Sequence, residues 1–138
     1  MQKNKTIFLF LFGLMCSIIC AQELPPIVIY SPVELGTENQ NWAISQSDEK
    51  YIYVANNSGL LEFNGAKWTL YPSPNETILR SVKVVGDLIY TGCYMEFGYW
   101  KRNDFGLLEY TSLSQNLSIP MIEDEHFWNI LNLDNWIV

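Results

Sequence analysis

Residues 51–71 read YIYVANNSGLLEFNGAKWTLY, and the reading of this stretch decides the fold. Tyr51-Ile52-Tyr53-Val54-Ala55 is aromatic and β-branched, the composition that suits a pleated, half-buried strand. Asn56-Asn57-Ser58-Gly59 breaks that run as a turn cluster, and Leu60-Leu61-Glu62-Phe63 resumes it. Asn64-Gly65 is the strongest short-range hairpin signal, predicting a two-residue type I′ turn with positive φ at both positions. Lys67-Trp68-Thr69-Leu70-Tyr71 returns as an alternating strand until Pro72 stops it. No uninterrupted run is long enough for a helix, so the stretch is a β-meander.

Working outward, Trp42-Ala43-Ile44-Ser45-Gln46 alternates and turns through Asp48-Glu49-Lys50 into the meander, which makes four strands. The pattern then restarts. Leu79 to Val85 is a strand and Gly86-Asp87 a turn. Leu88 to Gly92, Phe97 to Lys101 and Leu107 to Ser112 complete a second set of four. After a long connection holding Pro120 and Glu123-Asp124-Glu125, Phe127 to Leu131 and Trp136 to Val138 open a third copy around Asp134. Turn aspartates at 48, 87 and 134 are 39 and 47 residues apart. Four short strands repeated at ~40–50 residues is the pattern of propeller blades. The fold class expected is therefore all-β: a partial β-propeller of about two and a half four-stranded antiparallel blades. The blades span about 40–72 and 78–114, with the start of a third at 126–138. A closed ring needs ~4–8 blades, so the sequence is expected to be a piece of a larger propeller.

Residues 1–21 are set aside as a secretory signal peptide. Lys3 and Lys5 supply its positive start, and Thr6 to Ile19 is an apolar run of 14 residues, short of the ~20 that span a bilayer. Cleavage after Ala21 is expected, leaving Gln22 as the mature N-terminus. A lipid anchor on Cys20 is disfavoured by bulky Ile19 before it. Removal of the leader leaves Cys93 as the one cysteine, with no internal disulfide partner, and a buried inert thiol is the expectation. Residues 22–39 form an entry segment punctuated by Pro25-Pro26, Pro32 and Gly36, with Ile27 to Tyr30 as a short strand. Localisation is expected on the exported side of the membrane, periplasmic or at the cell surface, with no span after the leader.

The repeat Gly59-Leu60, Phe63, Asn64-Gly65 and Trp68 resembles that of the two-component-regulator propellers. In that family Gly-Leu, an aromatic, Asp/Asn-Gly and an aromatic recur once per blade. The second copy departs from the pattern: Gly98-Tyr99-Trp100 stands at the Gly-Leu place, and Lys101 to Gly106 replaces the tight turn. The resemblance covers about residues 40–138. It implies the N-terminal part of an exported sensor, of the kind found in Bacteroidetes-type hybrid sensor kinases and triple-tyrosine-motif helix-turn-helix regulators. It also implies partners: an extracytoplasmic ligand, with glycans among the candidates, the rest of its own propeller, and a downstream signalling module. The function expected is that of an extracytoplasmic ligand-sensing segment of a signal-transduction, transcription-regulating sensor. The alternative is a secreted propeller enzyme or a lectin-like carbohydrate-binding protein; a propeller scaffold that binds only protein is a third reading.

Composition narrows the chemistry. The chain carries 8 basic and 15 acidic residues, a formal net charge of −7, so no basic patch is available for nucleic-acid phosphates. With one histidine, His126, a Ser-His-Asp or Cys-His arrangement has a single possible base and no local nucleophile motif, and a zinc site lacks the several His or Cys ligands it needs. No phosphate-cradling glycine loop occurs. Glu123-Asp124-Glu125 reads as a solvated charge run. No enzyme activity, cofactor or metal is expected within this segment. Trp42, Trp68, Trp100, Trp128 and Trp136 read as strand residues packing blade on blade. The loops joining second to third strands, and blade to blade, should open on one face. That face would gather Asn56 to Ser58, Pro72 to Thr77, Cys93 to Glu96 and Ser114 to Glu125. Exposed loops on a rigid scaffold are where binding concentrates. Arg80, Tyr94 and Glu96 are the candidate ligand-binding residues, with Asn57 behind them.

Overall fold

The computed structural model describes residues 24–138 together with Lys3, Lys5 and Ile7. The remainder of the leader and its cleavage site lie outside the described residues. No described helix is long and apolar enough to cross a membrane.

The described chain is mostly β. Strands β1 (Asn41–Gln46), β2 (Ile52–Asn56), β3 (Gly59–Phe63) and β4 (Trp68–Pro72) form one antiparallel sheet in the order β1-β2-β3-β4. Strands β5 (Ser81–Val85), β6 (Leu88–Gly92), β7 (Phe97–Arg102) and β8 (Leu108–Ser112) form a second sheet in the order β5-β6-β7-β8. A small hairpin of β9 (Asn132–Leu133) and β10 (Trp136–Ile137) follows. Asp134 opens its turn at φ 51. Phe127 to Leu131, read above as a strand, contains no strand.

The Asn64-Gly65 turn is a four-residue connection, because Phe63 pairs with Trp68 and the loop between them is Asn64 to Lys67. Gly65 has positive φ and Asn64 does not. Instead the Asn64 carboxamide oxygen accepts from the backbone N–H of Ala66 at 3.0 Å and of Lys67 at 2.9 Å. The Asn side chain has taken over the closing role that an I′ backbone would have had. Two-residue turns occur elsewhere, at Asn57-Ser58 and Gly86-Asp87. Gly59 ends the first of these at φ 140, and a Cβ there would stand 2.2 Å from the Tyr71 carbonyl oxygen. Only glycine allows β4 to approach this closely.

Residues 27–30, expected to be a short strand, form none; Ile27, Val28 and Ile29 are exposed. Tyr30 is instead the anchor, its ring 5.7 Å from that of Phe63 and 5.6 Å from that of Trp68. Behind it a single helical turn, α1 (Pro32–Leu35), is framed by sequence. Ser31 and Glu34 make a reciprocal capping box, Pro32 enters where no N–H is needed, and Gly36 closes in the left-handed region.

The two sheets stack face to face, and the core lies between them. Strand alternation puts Tyr53, Ala55, Leu60 and Glu62 of the first sheet on the face toward the second. Val82, Ile89, Trp100 and Leu108 of the second meet them, with Leu79 filling the crossover. Strand β1 lies beside β5, where the Ser45 hydroxyl accepts from the Val84 N–H at 3.0 Å. Further along, Tyr71 of β4 packs on Trp100 at 5.8 Å. The Arg102 guanidinium of β7 pairs with the buried carboxylate of Glu62 on β3 and donates to the Tyr53 hydroxyl at 3.2 Å. Burial opposes the charge on Arg102, yet Glu62 and Tyr53 hold its pKa above the usual arginine value. The Glu62 carboxylate is buried and the Arg102 guanidinium only partly so, and the pair ties β3 of one sheet to β7 of the other.

Of the five tryptophans expected in the core, only Trp100 is buried, its Nε1–H donating to Thr91 Oγ1 at 2.9 Å. Trp68 is half-buried under Tyr30, while Trp42, Trp128 and Trp136 are exposed. Cys93 is buried, as its strand-like surroundings suggested.

Candidate ligand-binding site

The site is built at the end of the sheets where the β2–β3 and β6–β7 loops meet the incoming connections. Asn56, at the end of β2, is 1% exposed and fully engaged. Its amide reaches the backbone oxygens of Glu38 and Gln40, each at 3.0 Å, and Asn41 Oδ1 at 2.8 Å, while its own oxygen accepts from the Ser58 N–H. A buried amide satisfied on both sides acts as a clamp, holding residues 38–41 against the turn. Asn57 is thereby aimed outward. Its side chain accepts from Trp42 Nε1 at 2.8 Å and donates to Glu38 Oε2 at 2.8 Å.

Arg80 stands immediately before β5, its backbone N–H donating to the Gly92 carbonyl at 2.9 Å. Its guanidinium carbon is 4.5 Å from the centre of the Trp42 ring and 4.2 Å from that of Trp128. The two indoles meet edge to face at 75° with centres 5.9 Å apart, so the cation sits in the corner they form. Contacts of this kind are worth ~0.5–2 kcal/mol and leave the charge in place. Among the described residues Arg80 makes no ion pair, and its buried Nε has no hydrogen-bond partner.

The third contribution is the segment after the long connection. The Met95 N–H donates to the Glu125 carbonyl at 2.9 Å and the Phe127 N–H to the Cys93 carbonyl at 3.2 Å, forming an isolated bridge between Tyr94 and His126. The Tyr94 and His126 rings lie 5.0 Å apart, and Trp128 continues the row 5.8 Å from His126. The Tyr94 hydroxyl donates to Asp124 Oδ1 at 2.9 Å, and that carboxylate raises the phenol pKa. His126 Nδ1 is buried without a partner, so no carboxylate orients the ring through that atom as a hydrolytic dyad would require. A buried polar atom left unpaired costs ~1–3 kcal/mol. Arg80 Nε and His126 Nδ1 are thus two such atoms in one site.

A cavity of about 300 Å³ opens among these groups, lined by Asn57, Arg80, Tyr94, His126, Thr77 and Ile78, with Glu38 and Glu76 also in its wall. That volume suits a small molecule. Three of the four sequence-predicted residues, Asn57, Arg80 and Tyr94, are brought together here. Glu96 is not. It is buried, accepts from the Tyr110 hydroxyl at 2.8 Å and from Ser114 Oγ at 2.6 Å, and ties β8 to its own loop. Tyr110 is correspondingly pushed above the usual phenol value, by burial first and by Glu96 second. The Cys93 thiol is also raised, mainly by burial. Trp42, Trp128 and His126 were absent from the sequence-predicted set. The two indoles read as core and the imidazole as part of an acidic run.

A second cavity of about 300 Å³ lies at the other end of the sheets, walled in part by Tyr51, Tyr53, Asp87 and Arg102. Its arginine is already neutralised by Glu62, which leaves the first cavity as the better candidate. Among the described residues no group of three or more His, Cys, Asp or Glu is placed to hold a metal ion. No family model, curated protein or solved structure matches this chain.

Proposed function

We propose that this chain is the ligand-recognising opening segment of an exported β-propeller sensor, its two sheets being successive blades. The observation that carries the reading is the Trp42–Arg80–Trp128 cluster. Trp42 lies in β1, Arg80 directly precedes β5, and Trp128 lies ahead of the β9–β10 hairpin. Taking the β9–β10 hairpin as the start of a third repeat, equivalent places in three repeats would meet at one end of the stack, as the inner strands of propeller blades do around a channel mouth. Corresponding strands of the two sheets start 36–40 residues apart, in keeping with a blade period. The resemblance of Gly59 to Trp68 to two-component-regulator propellers points to sensing, and the leader points to export.

The site favours recognition over turnover. It offers aromatic surface, one uncompensated cation and several hydrogen-bonding groups, and no nucleophile aligned with a base. Binding in such a pocket would rigidify the loops that join adjacent repeats, a means of passing occupancy to the rest of a larger protein. The test is thermal shift of the exported chain against a panel of extracellular sugars, oligosaccharides and organic acids. At least one compound is expected to raise the Tm of the wild type and to lose that effect in Tyr94→Ala. If no compound stabilises the chain, or Tyr94→Ala responds equally to every one that does, the sensing reading is wrong.

A further inference from the structure

We infer that the ligand of this cavity carries a single carboxylate, and that Arg80 is the group that pairs with it. The inference rests on the binding-site reading above and specifies its chemistry. Arg80 is fixed in a corner of two indoles, a setting that orients a guanidinium without neutralising it. Glu38 and Glu76 line the same cavity, yet neither forms an ion pair with Arg80. The Glu38 carboxylate is instead occupied by the Asn57 amide. Asp124, which borders the site through Tyr94, accepts from the Tyr94 hydroxyl. Among the described residues none of these acids pairs with Arg80, which leaves the one cation of the site to a ligand.

The identity of the anion follows from charge and shape. A guanidinium presents its donors in one plane, and a carboxylate meets that fork with two parallel hydrogen bonds. A phosphate monoester would bring close to two negative charges into a wall that already holds Glu38 and Glu76. A carboxylate brings one. The Tyr94 and His126 rings, which line the cavity with Arg80, offer ring surface for a flat or apolar ligand body.

Benzoate is a suitable probe, with neutral benzamide as its near-isostere and inorganic phosphate as the rival anion. Each is titrated into the full chain while the indole N–H resonances of Trp42 and Trp128 are followed by NMR. Saturable shifts of both are expected with benzoate, and at least ~10-fold weaker binding with benzamide and with phosphate. Arg80→Gln should reduce benzoate binding to the benzamide level while the resonances of residues away from the cavity stay in place. Should that variant misfold, the benzoate–benzamide contrast on the wild type still decides. Equal binding of benzamide would overturn the carboxylate assignment while leaving the pocket itself standing. Tighter binding of phosphate would replace the carboxylate by another oxyanion, and no response to benzoate would reject the inference outright. Failure of the sensing reading is recognised separately, by the absence of any stabilising compound in the thermal-shift panel.

Discussion

Replacing Glu62 by Gln removes the charge that ties β3 of one sheet to β7 of the other and keeps the side chain's shape. The Glu62 side chain is 6% exposed and that of Arg102 is 33% exposed. Breaking a fully buried pair costs ~3–5 kcal/mol, because the surviving charge is stranded. Arg102 is partly wet, and it keeps the Gly106 carbonyl at 2.7 Å and the Tyr53 hydroxyl as partners. Solvent screening therefore brings the expected loss for Glu62→Gln down to about 2 kcal/mol. Arg102→Met strands the more deeply buried carboxylate and should cost more, about 3 kcal/mol. The double variant should lose less than the sum, with a coupling of about 1–2 kcal/mol. Urea unfolding of the four proteins measures this, and a 2 kcal/mol loss should move the midpoint by roughly 1 M for a chain of this size. A loss in Glu62→Gln below ~0.5 kcal/mol, within the range of ordinary surface changes, would refute the role of the pair as an inter-sheet joint.

Three further outcomes follow from the packing. Trp100→Ala, at a buried ring that also satisfies Thr91, should cost ~3–5 kcal/mol in the same urea assay and loosen both sheets together. Gly59→Ala forces a Cβ into the Tyr71 carbonyl at positive φ and should cost more than ~2 kcal/mol, seen as a lowered Tm and as faster amide exchange in β3 and β4. Tyr53 supplies a pH dependence: burial, then the Glu62 charge, pushes its phenol up to about 12 from 10. The folded chain holds this proton more tightly than the unfolded one. Its contribution is therefore complete below pH 10 and is lost as pH rises through about 12, a fall of ~2–3 kcal/mol measurable by urea unfolding across that window.

The strands were legible where the physics is local. Alternation from Trp42 to Gln46 and from Leu88 to Gly92, bounded by Asp48-Glu49 and Gly86-Asp87, specified strands within a residue or two of where they fall. The Asn64 turn misled because the side chain can close a turn that the backbone was expected to close, and sequence alone does not distinguish them. Residues 27–30 are apolar enough for a strand but have no neighbour to pair with; Tyr30 gains more by covering Phe63 and Trp68. In the site, Asn57, Arg80 and Tyr94 could be placed on one rim because topology fixes where loops emerge. Glu96 was placed there too, because a glutamate in a loop looks exposed; its burial depends on Tyr110 and Ser114, which approach from another strand and a later turn. The Trp42 and Trp128 indoles could not be separated from core aromatics by composition. Their position at the starts of repeats, with an arginine at the start of the repeat between, is the signal that would have found them.

The site stands on Trp42, Arg80 and Trp128, from three separate stretches of the chain, meeting in one cluster. NMR of the full chain tests it directly, through the Arg80 side-chain protons. Stacked in the corner of two indoles, they should be shifted strongly upfield by ring currents and show nuclear Overhauser contacts to both Trp42 and Trp128. Arg80 shifts near those of a free arginine, with no contact to Trp128, would mean that the segment after the long connection does not close over the two sheets and that the cavity as described does not exist.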